Sequence, residues 1–207
     1  MTKDGIISKV RTIMNETGAE ESLSLLSEDT VKLSEYIEAV IPDAINMLAV
    51  MEEVPVELLS ISASSNLSNK NEDDGCLVVQ LPQDFLRFVA LRLNNWKREV
   101  QEIFPYGGEN YKVQHNPVTR SGVNKPSCVY SYNSSGKCIE CFPLGELSYF
   151  KYVKQILSDT DLSISGISDK LFNSICYMCA YLVYNIFEMP ATGEQMYKIA
   201  LQNIPKL

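Results

Sequence analysis

Apolar residues in this chain follow helical spacing near the start, shift to alternation in the middle, and return to helical spacing near the end. Ile6, Ile7, Val10, Ile13 and Met14 share one helical face, which predicts a short helix over 4–16, stopped by Gly18. The run Ser27-Glu-Asp-Thr30 has the residue types that cap a helix start. Val31, Leu33, Tyr36, Ile37, Val40, Ile41, Ala44, Ile45, Leu48 and Met51 continue that second helix as its apolar positions. Pro42 sits inside it, removing a backbone donor and crowding the previous turn, so a kink or break is expected near Val40. Pro55 ends the helical region.

Beyond Pro55 the pattern shortens. Leu58–Ser62 and Cys76–Leu81 predict strands. The polar stretch 64–75 between them predicts a mobile hairpin tip. After the turn Leu81-Pro-Gln-Asp84, the run Phe85–Leu93 is apolar apart from Arg87 and Arg92. It predicts a strand over 86–93, followed by a turn or short helical piece to Phe104. Residues 109–125 carry Pro117 and Gly122 and read as irregular. Ser127–Tyr132 and Lys137–Phe142 flank a short turn containing Gly136, which predicts a β-hairpin. Leu147–Ile156 predicts one more strand, with Phe150, Tyr152 and Ile156 or their neighbours facing inward. A connecting loop over 158–167 then leads to Ser168-Asp169, which caps a helix apolar on nearly every side, from Leu171 to Phe187. Pro190 suits the first turn of a last helix ending near Ile204.

The fold class that follows is α+β: a helical bundle made by the N- and C-terminal helices, with an antiparallel β-region inserted. The expected divisions are N-terminal helices over 1–55, the β-region with its hairpin over 56–157, and C-terminal helices over 158–207. At 207 residues and 45% hydrophobic content, the chain is long enough to bury a substantial core. No apolar run reaches the ~18 residues of a membrane span, and the acid-bearing first residues argue against a secretory signal.

Charge changes the picture more than composition does. Residues 1–75 hold five basic and fifteen acidic side chains, whereas 76–157 hold ten basic and six acidic. An acidic first third is a poor clamp for nucleic acid, which requires clustered Lys and Arg, but it suits a surface that repels DNA. The six cysteines include Cys138-x-x-Cys141 and Cys176-x-x-Cys179. Two such pairs would make a tetrahedral zinc site, but the first lies on a predicted strand and the second on an apolar helix, so buried thiols are expected instead. The lone histidine, His115, falls in a predicted loop with no nucleophile motif near it. Neither of the glycine-rich phosphate-binding motifs occurs, and Glu72-Asp-Asp74 lacks the ligand spacing of a calcium loop. No catalytic, cofactor-binding or metal-ligating residue is therefore assigned, and no enzyme activity is expected. The tyrosines, among them Tyr130, Tyr132, Tyr149 and Tyr152, suit either strands or interfaces.

Taken in order, these elements are the initial helices, Leu81-Pro-Gln-Asp-Phe-Leu-Arg-Phe-Val-Ala-Leu-Arg-Leu93, Lys125-Pro-Ser-Cys-Val-Tyr-Ser-Tyr132, Cys138-Ile-Glu-Cys-Phe-Pro143, and the helix Leu171–Glu188 followed by Pro190-Ala-Thr-Gly-Glu-Gln-Met-Tyr197. This order resembles the head–tail connector, or adaptor, proteins of tailed bacteriophages, in particular tail tubular protein A of short-tailed phages and the ring proteins of crAss-like phages. The kinked second helix and the short tail after Ile204 depart from some members. The resemblance implies a virion protein of the portal vertex, assembled in the host cytoplasm, which forms a ring of commonly twelve copies. Such a ring joins head to tail, extends the DNA channel without binding DNA specifically, and contacts the portal protein and a further tail or ring protein; no cofactor or membrane is involved. It also implies a portal or ring interface at Tyr197, Leu201, Ile204 and Leu207, and an inter-ring hairpin at Asn66, Leu67 and Lys70. Two other classes remain at this level. A soluble interaction module would be a stable monomer with one adhesive patch, and an enzyme with an unrecognised site would have a deep pocket with shifted carboxylates.

Overall fold

The computed structural model describes residues 1–16, 30–64, 68–71, 75–156 and 166–206. Their elements are mixed α+β, and the chain divides into two compact units: Met1–Ser60 with Gln155–Leu207, and Ile61–Lys154.

The first unit is helical and is built from both ends of the chain. Helix α1 spans Lys3–Glu16 and buries Ile6, Val10, Ile13 and Met14, as the spacing predicts. Helix α2 spans Thr30–Val50 without a break, although Pro42 lies inside it. A proline costs one backbone hydrogen bond, and here Val40, Ile41, Ala44 and Ile45 around it are all buried. Burial of that face holds the helix together across the missing bond. Residues 27–29 of the expected cap lie outside the described residues.

In the same unit, a short 3-10 turn at Val56–Leu58 occupies the start of the segment expected to be a strand. The C-terminal half begins with a second 3-10 turn, Asp169–Leu171, whose Lys170 N–H donates to Ser168 Oγ at 3.3 Å. Two later helices, at Phe172–Ile186 and Pro190–Gln202, complete the unit. The first of them buries Ile175, Cys176, Met178, Cys179, Ala180, Val183 and Tyr184, and packs against α1, α2 and the last helix. It is the central helix that its all-round apolar character predicts. Asn46 ties the two chain segments together: its amide donates to the Ile156 carbonyl and accepts from the Ile156 N–H, each at 2.9 Å.

The second unit is a pair of sheets. Its strands are β1 (Ile61–Ser64), β2 (Ser68–Asn71), β3 (Cys76–Gln80), β4 (Phe85–Leu93), β5 (Ile103–Phe104), β6 (Ser127–Asn133), β7 (Gly136–Phe142) and β8 (Leu147–Lys154). A three-stranded sheet has the order β1-β8-β4, and a five-stranded sheet the order β2-β3-β7-β6-β5. All pairings are antiparallel except β5 with β6. Leu77, Val79, Cys128, Ile139 and Cys141 from one sheet share a core with Leu91, Leu93, Phe150 and Tyr152 from the other. Trp96 fills the same core and its indole N–H donates to the Pro143 carbonyl at 3.0 Å.

Two parts of this unit differ from the expectation. Ser68–Asn71, inside the stretch read as a mobile hairpin tip, forms strand β2 against β3. An edge strand requires only backbone pairing on one side, so a polar sequence can occupy it. Glu109–Gln114, read as irregular, is a helix of one and a half turns, numbered α3 here, so that Phe172–Ile186 is α4 and Pro190–Gln202 is α5.

Candidate interaction surface

The hairpin β6–β7 closes through Ser134 and Ser135, with Gly136 at a φ of 111° and the Ser135 N–H donating to Asn133 Oδ1 at 2.8 Å. That turn aligns Tyr132 directly opposite Lys137, at the open end of the five-stranded sheet. Strand β5 runs parallel to β6, and the chain then turns through Pro105-Tyr-Gly-Gly108, where Gly107 takes a φ of 73° that a side chain would strain. The turn delivers Tyr106 beside Tyr132, with ring centroids 5.4 Å apart at 88°, and beside Tyr111 of α3 at 4.9 Å. Both contacts have the edge-to-face geometry that aromatic quadrupoles favour.

Helix α3 is fastened to the sheet by its inner side. The partly buried Tyr111 ring lies against the buried cluster of Cys76, Val129 and Phe142. His115, at the C-cap, stacks on Tyr111 at 4.2 Å and meets the Phe142 ring edge-on at 5.6 Å. Its Nδ1 is 2.8 Å from the Tyr111 carbonyl, which can only accept, so this nitrogen carries a proton. Its Nε2 is 3.0 Å from Glu140 Oε2, an oxygen shielded from solvent. This arrangement has no nucleophile beside it, and its evident effect is to pin the helix.

What remains outward is apolar and basic. Tyr106 is 57% exposed and Tyr132 62% exposed, and Val113, Val118 and Val123 of the same segment are exposed as well. Between 106 and 137 there are four Lys or Arg residues and one acid besides: Lys112, Arg120, Lys125 and Lys137 against Glu109. Lys137 also lies over the Tyr130 ring at 4.1 Å, and burial raises the Tyr130 phenol above its ordinary range.

The opposite character appears on α2. Glu35, Tyr36, Ala39, Asp43 and Val50 form an exposed stripe at helical spacing. From Leu33 to Ser60 the chain has six carboxylates and no cationic side chain. Glu38 pairs with Lys3 of α1, and Tyr36 rests edge-on against Phe187 at 5.3 Å.

The residues singled out from the resemblance are placed as follows. Tyr197, on α5, packs its ring 5.2 Å from Tyr181. Leu201, one turn on, is 36% exposed, and Ile204 is half-buried beyond the end of the helix. Leu207 lies outside the described residues, as do Asn66 and Leu67. Lys70 pairs with Leu77 within the β2–β3 ladder.

The cysteine pairs are core residues. Cys141 faces Cys128 across the β6–β7 pair with sulfurs 3.7 Å apart, and burial, followed by that neighbouring thiol, holds its pKa well above the usual thiol range. Cys176 and Cys179 are fully buried on α4. Among the described residues, no group of three or more His, Cys, Asp or Glu could hold a metal ion. A shallow groove lined by Asp4, Ile7, Ser8, Arg11 and Thr12 runs over α1, and it has no pairing of base and nucleophile. No described helix is long and apolar enough to cross a membrane.

The Tyr106–Tyr111–Tyr132 cluster is not evident from the sequence, where Pro117 and Gly122 give 109–125 an irregular character. The available signal was Gly108-Glu109, a glycine at the N-cap with an acid in the first turn. No protein-family model matches this chain, and neither does any curated protein sequence.

Proposed function

We propose that this chain is a structural subunit of a phage connector ring, set at the portal vertex between head and tail, which extends the DNA channel. The observation that carries the reading is the architecture itself. Along the chain, a helical unit drawn from both ends is interrupted by a contiguous, mainly antiparallel β unit, in the same order that the resemblance to connector proteins rests on. Charge supports it too. The helical unit carries seven basic and seventeen acidic side chains, an excess that keeps DNA from adhering to a channel wall. A ring of identical subunits also requires two different complementary surfaces on each copy. The acidic stripe of α2 and the basic tyrosine patch at the end of β6 differ in that way. The β unit, with the segment around β2, would meet the next ring in the stack.

Peptide mass spectrometry and cryo-electron microscopy of the virus particle encoding this chain test the reading. The expected result is a ring of copies between portal and tail, with the helical unit lining the channel. Absence of the chain from purified particles would sink the proposal, and residues 1–75 lying on the outer rim would refute the placement of the channel wall.

A further inference from the structure

The ring reading leaves open which surfaces meet, and the inference here rests on it. The β unit presents Tyr106 and Tyr132, each more than half exposed, flanked by Lys137 opposite Tyr132 and by Lys112 next to Tyr111. Tyrosines held by neighbouring rings lose little freedom on docking and bring large contact area, so they recur as interface anchors. Neither lysine forms an ion pair with a described carboxylate. No described carboxylate therefore neutralises either charge, although Lys137 rests over the Tyr130 ring.

The helical unit presents a matching surface. The exposed side of α2 alternates apolar and acidic groups, and Glu35 and Asp43, two turns apart, form no ion pair with a described cation. Apolar groups within each patch would supply the affinity, and the opposite charges would set the register and disfavour wrong partners.

We propose that the tyrosine patch of one copy (Tyr106, Tyr132 and Lys137) docks on the α2 stripe of the next copy, around Tyr36 and Asp43. Each copy then offers one of these surfaces to either neighbour, which is the head-to-tail contact that closes a ring. The stripe occupies only one side of the helical unit. Asp4 and Glu194, exposed on other helices, stay available to the channel wall.

The test uses the full chain prepared in light and heavy isotope forms, mixed, concentrated, and treated with a carbodiimide that joins a carboxylate to a lysine in direct contact. Linked peptides pairing a light with a heavy chain should connect Lys137 or Lys112 to Glu35 or Asp43. Sedimentation should show self-association that weakens with salt. Tyr106→Ser combined with Tyr132→Ser should weaken it about tenfold or more. Lys137→Glu alone and Asp43→Lys alone should each weaken it about tenfold, and the two together should recover most of the loss. All four positions are exposed, and circular dichroism reports whether each variant folds. Self-association that ignores these substitutions, or cross-links that fall elsewhere, overturns this pairing and leaves the ring reading standing. A chain that stays single at every concentration overturns the self-docking, while the ring reading still answers to the particle micrograph.

Discussion

The two units use polar groups in opposite ways. In the β unit they are tied into pairs: Tyr152 donates to Asp84, Tyr149 to Glu99, Asn133 to Gln80, and His115 meets Glu140. In the helical unit, carboxylates such as Glu35, Asp43, Glu52, Glu53 and Glu57 take no ion-pair partner among the described residues. The difference has a physical origin. In three of these pairs a turn, loop or helix end folded against the sheet (Asp84, Glu99 and His115) meets a strand side chain distant in sequence, so polar residues of the β unit find partners. The outer stripe of a helix meets mainly its own neighbours three and four positions away, and on α2 those of Asp43 (Ala39, Val40, Asn46 and Met47) carry no positive charge. Surplus charge therefore accumulates on the helices, where it is available to act on something outside the chain.

Core substitutions should break this comparison most severely, and in both units. Trp96→Ala removes the buried indole and its hydrogen bond to Pro143, and should cost about 3–5 kcal/mol. Ile37→Ala, on the buried side of α2, should cost about 2–5 kcal/mol. Urea denaturation followed by circular dichroism measures both. A loss under 1 kcal/mol at either site would mean that the core described for that unit is wrong.

The thiols of α4 sharpen the comparison through pH. Burial pushes the Cys176 thiol from 9.0 up to about 12, and Cys179 is raised still further. Both are acids whose folded pKa exceeds the unfolded one, so the native state keeps protons that the unfolded chain releases. Their contribution is fully present below about pH 9 and is lost as pH rises toward 12. Denaturation midpoints should fall progressively above pH 9, and Cys176→Ala with Cys179→Ala should flatten that slope. A slope unchanged in the double variant would mean these thiols ionise in the native state.

The smallest effect is expected at Glu99 on the β unit. The hydrogen bond from Tyr149, followed by that from Gln101, holds its carboxyl below the ordinary value of 4.5. This acid has a depressed folded pKa, so its modest contribution is present above about 4.5 and is lost as pH falls through the folded value. Tyr149→Phe should move the Glu99 titration upward in an NMR pH series and change global stability only slightly, since the pair is near solvent. An unmoved titration would show that the hydrogen bond is not what stabilises the carboxylate.

Much of the architecture is legible in the sequence. The cores of α1, α2 and α4, the β6–β7 hairpin and the α+β class follow from periodicity and turn residues, because both signals are local. The burial of the cysteines followed from their apolar neighbours. The helix of Glu109–Gln114 was harder to read, since six residues are too few for periodicity to show and their stability comes from Tyr111 and His115 resting on the sheet. Strand β2 was misread for a related reason: its polar side chains say nothing of the β3 backbone that pairs with it.

The sequence by itself determined which faces are apolar, where the chain turns, and that negative charge crowds its first third, since each of these is a property of neighbours along the chain. Only the tertiary structure decided that β1 pairs with β8 across the whole β unit and that Tyr106 meets Tyr132. Those outcomes depend on contacts between residues far apart in sequence, whose closure is set by the packing of the whole core and not by any single segment.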